Sequence, residues 1–289
     1  MTSLPMLASV ARRSRFVGGA LFALAQLVAE AATPELTVSG AGRSQKYTPE
    51  SLLANPAAVT IMVPQDVAYK RAMTYRAVPM SVLLAGLERD ESVRFVAGDG
   101  FAATLAAAPL LATADDAPRA YLAVEPTGTA WPPLKAGGRD TAGPFYLVWL
   151  RPEKGRVSSE QWPYQVARIE AVASVAVRFP TLAPAASVGR NDPVRHGFAV
   201  FSTNCLPCHT LNLAGDAHVG PDLNVPFSPT EYMREDFLRQ QVRNPQSIRV
   251  WPDAKMPGFD VNALSDRDLD DLLAYLYYMA KRKVDIPKG

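Results

Sequence analysis

The sequence predicts an α+β N-terminal domain followed by an all-α C-terminal domain. Three observations carry this. Short apolar runs bounded by Gly and Pro dominate residues 36–179, the pattern of strands with few strong helices. The stretch Phe179 to Gly189 is small, proline-bearing and without periodicity, which reads as a linker. Beyond Pro193, apolar residues recur at helical spacing, most clearly as Leu269, Leu272, Leu273 and Leu276. The expected boundaries are a leader at 1–31, an α+β domain at 32–180, a linker at 181–192 and a helical domain at 193–289. The 289 residues suffice for two modest domains.

The beginning of the chain has the layout of an export signal. Arg12, Arg13 and Arg15 precede an apolar run from Phe16 to Val28, and Ala29-Glu30-Ala31 resembles a cleavage site. The run falls short of the roughly 20 apolar residues that a membrane span needs. Export with cleavage is therefore expected, giving a periplasmic protein that touches a membrane only if the leader is retained. The net charge is +2, and no basic stripe runs along the chain, which argues against nucleic acid as a partner.

In the N-terminal domain, Ala58 to Val63 reads as a strand. Val78 to Leu87 has helical spacing, with Pro79 suited to the first turn. Ser92 to Ala97 alternates Val93, Phe95 and Ala97 and is expected to be a strand with one buried face, closed by the turn Gly98-Asp99-Gly100. Arg119 to Val124 and Phe145 to Leu150 are further strands. Gln165 to Val177 suits strand or helix, and periodicity does not choose between them.

The chemistry gathers at Cys205-Leu206-Pro207-Cys208-His209. The C-x-x-C-H spacing is that of covalent haem attachment: two thiols one helical turn apart meet the two vinyl groups of a haem, and the next imidazole reaches the iron. A thioredoxin-like pair needs no histidine there and belongs near a βαβ pattern. A zinc site needs further ligands, and the chain has only these two cysteines.

From Pro193 onward the chain resembles a class I cytochrome c. The resemblance rests on Gly197 and Phe201 before the motif, Gly220-Pro221-Asp222-Leu223 after it, the loop Lys255-Met256-Pro257-Gly258-Phe259, and a last helix from Leu264 to Ala280 bearing Tyr275. It implies close crossing of the first and last helices at Gly197. It implies a bond from the His209 ring to the Pro221 carbonyl, and iron held by His209 and Met256, with Cys205 and Cys208 carrying one haem c. Met233, Met279, His196 and His218 are rival ligands. Trp251, Arg249 and Asn244 could meet propionates or simply pack.

Residues 60–175 more loosely resemble the molybdopterin-binding domain of the sulfite-oxidase family. The matching pieces are Ala77-Val78-Pro79, Asp99-Gly100-Phe101, Gly128 to Leu134 and Gly143-Pro144-Phe145. That family holds molybdenum through a cysteine, and every cysteine here lies in the haem motif. No molybdenum cofactor is expected.

The resemblances imply a carrier of single electrons between redox partners, such as a dehydrogenase or terminal oxidase, with an N-terminal domain for docking. The alternative is an enzyme or enzyme subunit that oxidises a small substrate and passes electrons to the haem. An electron-transfer role is favoured over an enzymatic one.

Overall fold

The computed structural model describes residues 33–89, 91–155, 157–217, 219–250 and 256–285. The leader, His218, Trp251 and Lys255 lie outside them. Among the described residues no helix is long and apolar enough to cross a membrane.

The N-terminal region builds two sheets from β1 (Leu36–Gly40), β2 (Arg43–Tyr47), β3 (Val59–Val63), β4 (Met73–Pro79), β5 (Ser92–Ala97), β6 (Ala102–Ala106), β7 (Arg119–Val124), β8 (Phe145–Leu150) and β9 (Val166–Val172). One sheet has the order β2-β1-β9-β5-β6 and the other β3-β4-β7-β8. All pairings are antiparallel except β1 with β9. Short helices α1 (Pro49–Leu53), α2 (Met80–Leu83), α3 (Ala107–Leu110) and α4 (Val175–Arg178) connect or follow the strands.

Strand β5 buries Val93, Phe95 and Ala97, the face that its alternation marks. Strand β8 is buried along nearly its whole length although it stands at a sheet edge. The following segment covers that edge: Leu147 N–H donates to the Pro163 carbonyl (2.9 Å), and Trp149 Nε1 donates to the Gln161 carbonyl (2.8 Å). The core between the sheets holds Trp149, Tyr75, Tyr146, Phe95 and Phe145. It also buries the carboxylate of Asp66, which accepts from the Tyr75 hydroxyl (2.8 Å), the Tyr146 hydroxyl (3.3 Å) and Tyr69 N–H (2.8 Å). A buried carboxylate persists only with such partners.

The structure corrects the helix expected from Val78 to Leu87. Val78 and Pro79 close strand β4, where they pair with Leu122 and Tyr121 of β7. Only Met80–Leu83 is helical, and the chain turns away at Gly86, whose φ of +91° suits glycine. Sheet pairing overrode the local spacing. The ambiguous stretch 165–177 is divided, with β9 first and the single turn of α4 after it.

The C-terminal region is helical: α5 (Pro193–Asn204), α6 (Pro229–Tyr232), α7 (Glu235–Arg243), α8 (Pro245–Ile248) and α9 (Asp266–Ala280). Asp192 caps α5 through Val194 N–H (2.9 Å). A reciprocal capping box between Ser265 and Asp268 starts α9. Met233 and Arg234 are extended between α6 and α7, so Thr230 to Val242 is two helices and not one. Helices α5 and α9 cross where Gly197 meets Asp271. A Cβ on Gly197 would lie 1.9 Å from the Asp271 carbonyl oxygen. Phe201 packs on Tyr275 with ring centroids 5.4 Å apart. A second apolar core forms around this crossing. Fully buried Leu182 joins that core, and the Tyr275 hydroxyl donates to its carbonyl (2.8 Å).

Residues 34–289 form one compact unit, and polar contacts join the cysteine motif and the loop after it to the N-terminal region. Ala102 N–H on β6 donates to the Pro207 carbonyl (3.2 Å). Asp216, in the loop after the motif, takes Arg94 of β5 (2.6 Å) and Arg178 of α4. Arg94 also pairs with Glu170 of β9 (2.6 Å).

Candidate haem site

Cys205 is the C-cap of α5, and the chain keeps turning helically through the motif. Cys205 N–H donates to Phe201 (2.9 Å), Cys208 N–H to Cys205 (3.1 Å) and His209 N–H to Cys205 (2.9 Å), each to a carbonyl. The two thiols therefore stand a turn apart on one short segment. Burial, reinforced by Glu160 and Cys208, pushes the Cys205 thiol up to about 12. A redox-exchange cysteine needs the opposite, a thiol held low. The environment suits a buried thioether.

The His209 ring is set by one bond. Its Nδ1 lies 2.8 Å from the Pro221 carbonyl oxygen. A carbonyl only accepts, so Nδ1 carries the proton, and the lone pair of the neutral ring sits on Nε2. Burial holds His209 below its ordinary value, against the opposing pull of the Pro221 bond, and so favours the neutral ring that a metal needs. Gly220 makes room for this arrangement: a Cβ there would lie 2.5 Å from His209 Cε1.

The loop that delivers Pro221 is held by residues that sequence reasoning did not single out. Asp222 accepts from Leu213 N–H (2.7 Å), Asn224 N–H (2.8 Å) and Val225 N–H (2.8 Å). Fully buried Asn224 donates to Asn212 Oδ1 (2.7 Å) and to the Met279 carbonyl of α9 (2.8 Å). Leu211 and Ala214 bridge across a tight turn whose central residues, Asn212 and Leu213, both have positive φ (54° and 59°). Asn at a helical-domain turn is a weak sequence signal, since its partners lie 12 or more positions away.

Met256 sits on a loop fastened to the end of α7. Phe259 N–H donates to the Val242 carbonyl (3.0 Å), and Arg243 Nη1 donates to the Phe259 carbonyl (2.9 Å). A Cβ on Gly258 would approach the Arg243 carbonyl oxygen to 2.5 Å, so the loop needs glycine there. The Met256 sulfur accepts from Gln241 Nε2 at 3.4 Å. The motif, His209 and Pro221 thus come together directly, whereas Met256 is anchored through α7.

The rival ligands are otherwise engaged. Met279 is buried in the core around α9, and Met233 packs against the same core. His196 faces Asp271 (2.7 Å) and Asp268 (3.5 Å) of α9. His218 lies outside the described residues. Asn244 ends α7, and its carbonyl accepts from Ser247 Oγ (2.7 Å).

These residues fit a c-type haem in donor chemistry and in the room that Gly220 leaves for the His209 ring. The model of the family described as Cytochrome c matches residues 194–280. The C-terminal part of the chain is a cytochrome c domain, a module that binds haem and transfers electrons to and from redox proteins. No curated protein matches the chain.

Proposed function

We propose that the protein is a periplasmic monohaem cytochrome c that moves single electrons between redox proteins, with its N-terminal region as a docking module. The observation that carries this is the His209–Pro221 bond beside the cysteine pair, because it places the proton on Nδ1 and leaves the lone pair of a neutral ring on Nε2 for a metal. Bound there, a haem supplies an iron that stores one electron. Cys205 and Cys208 would hold it covalently, His209 would ligate the iron, and Pro221 would keep the imidazole oriented. Met256 would be the second axial ligand, with Gln241 restraining its sulfur. A single C-x-x-C-H motif supports one haem per chain, and the leader at 1–31 supports export.

The N-terminal region does not fit a molybdenum cofactor of the kind held by a cysteine, since it has none. It contributes contact surface around the motif instead. Haem staining of denatured protein, with mass spectrometry of the intact chain, tests the attachment. One haem on Cys205 and Cys208 is expected, and a chain purified from the periplasm without haem would overturn the reading. One molybdenum per chain by elemental analysis would overturn the docking role.

A further inference from the structure

We infer that Glu160, supplied by the N-terminal region, is a redox-linked proton acceptor for the haem domain. Its carboxylate takes one proton from solvent as one electron arrives at the haem from the redox donor. The inference rests on the reading of residues 205–209 as a haem site.

Glu160 lies in the 3-10 turn Ser159–Gln161, which packs against α5 just ahead of the cysteines. The turn is rigid: Ser158 and Gln161 form a reciprocal capping box, with Ser158 N–H donating to Gln161 Oε1 (2.9 Å). Glu160 is only 8% exposed and, among the described residues, has no cationic partner within bonding distance, an unusual setting for a carboxyl. Ser159 Oγ donates to Glu160 Oε1 (3.2 Å). Lys70, exposed between β3 and β4, acts on it electrostatically from the N-terminal side. From the haem domain Cys205 interacts with it electrostatically, and the Glu160 charge contributes to the raised Cys205 thiol. Tyr164, four residues on, feels Glu160, Asp99 and Cys208 together. A carboxyl is thus buried in a turn that packs on α5, the helix that ends at the cysteine that would join the haem.

The sign follows from charge. Oxidised haem carries one more positive charge than reduced haem and favours a nearby carboxylate. Reduction removes that charge and favours the protonated acid. Burial already pushes Glu160 up to about 7, which places this exchange in the neutral range. Two acidic residues on the other side of the motif, Asp216 and Asp222, are tied to arginines or backbone N–H groups. Glu160 instead accepts from the neutral Ser159 hydroxyl.

The test uses the full haem-bearing chain as wild type, Glu160→Gln and Glu160→Asp. Pyridine haemochrome spectra first establish that haem is attached, and a wild type without haem overturns the site reading and this inference with it. Redox titrations between pH 5 and 9 follow. In the wild type the redox equilibrium should shift toward oxidised protein by up to tenfold per pH unit near neutrality, which is about 59 mV for one electron. Glu160→Gln should abolish this dependence and hold the potential at the wild-type low-pH value, while Glu160→Asp should retain part of it. Reduced-minus-oxidised infrared spectra should show a protonated-carboxyl band that Glu160→Gln removes. A haem-loaded wild type with no pH dependence, or a Glu160→Gln profile that matches wild type, overturns the inference.

Discussion

His209 and Pro221 are joined by a 2.8 Å bond from a ring N–H to a backbone carbonyl, across a loop that Asp222 and Asn224 tie to helix α9. The bond decides which nitrogen of the imidazole keeps its lone pair. Everything that stabilises the loop therefore acts on the ligand.

Gly220→Ala is the direct test of that arrangement. The new methyl would press on the His209 ring at 2.5 Å and push it off the Pro221 carbonyl. Overpacking of this kind costs about 1–3 kcal/mol. The variant should keep covalent haem but show a disturbed ferric spectrum and a lower melting temperature than wild type.

Gly197→Ala probes the crossing of α5 and α9. Its methyl would lie 1.9 Å from the Asp271 carbonyl oxygen, which is backbone and cannot swing aside. The helices must separate, at a cost of about 1–3 kcal/mol or more. Calorimetry should show the loss. Fluorescence should report weaker packing around Tyr275.

Met256→Ala should leave haem attachment intact, since Cys205, Cys208 and His209 are untouched. It should lower the midpoint potential and open the iron to carbon monoxide, because a thioether opposite histidine raises the potential. Redox titration and carbon monoxide difference spectra measure both. If neither changes, Met256 is not the ligand.

Asp216→Asn should loosen the junction between the two regions. Asp216 serves two arginines that are mostly buried, so its loss leaves Arg94 with Glu170 alone and Arg178 without its carboxylate. Hydrogen bonds to charged groups contribute about 1.5–3 kcal/mol each, and residual exposure reduces that figure here. Hydrogen exchange should rise in β5, α4 and the loop after the motif, with little change around Asp66.

Glu160 also predicts how stability depends on pH. Its folded value, about 7, lies above the ordinary glutamate value of 4.5. Between these limits the folded state binds more protons than the unfolded state, so stability falls as pH rises from about 4.5 through 7. The loss is on the order of 3 kcal/mol from a shift of this size. Melting temperatures of wild type and Glu160→Gln should therefore agree best below pH 4.5, diverge as pH rises to 7 and stay apart above it, with the variant more stable.

Local pattern was enough to place several elements of this chain. Alternation at Val93, Phe95 and Ala97 marks β5, and the apolar runs at 119–124 and 145–150 mark β7 and β8. Ser265 and the leucines after it mark α9. The motif at 205–209 and the Gly220-Pro221 pair are legible for the same reason: each works through neighbours a few residues apart, and spacing along the chain encodes that directly. Strand β2, Arg-Ser-Gln-Lys-Tyr, has no apolar alternation and exists only because β1 offers it a partner. Pro79 ends a strand because β7 pairs with it.

The sequence by itself determined the haem-binding motif, the two-part division of the apolar pattern and the apolar face of the last helix. Tertiary structure alone decided that Asp216 meets Arg94 across 122 positions, that Asn224 locks the His209 loop to α9, and that Glu160 is buried in a turn packed on α5. Polar residues look alike along a sequence whether they face water or an interior. What separates them is desolvation, and desolvation is set by whichever distant segments pack on top.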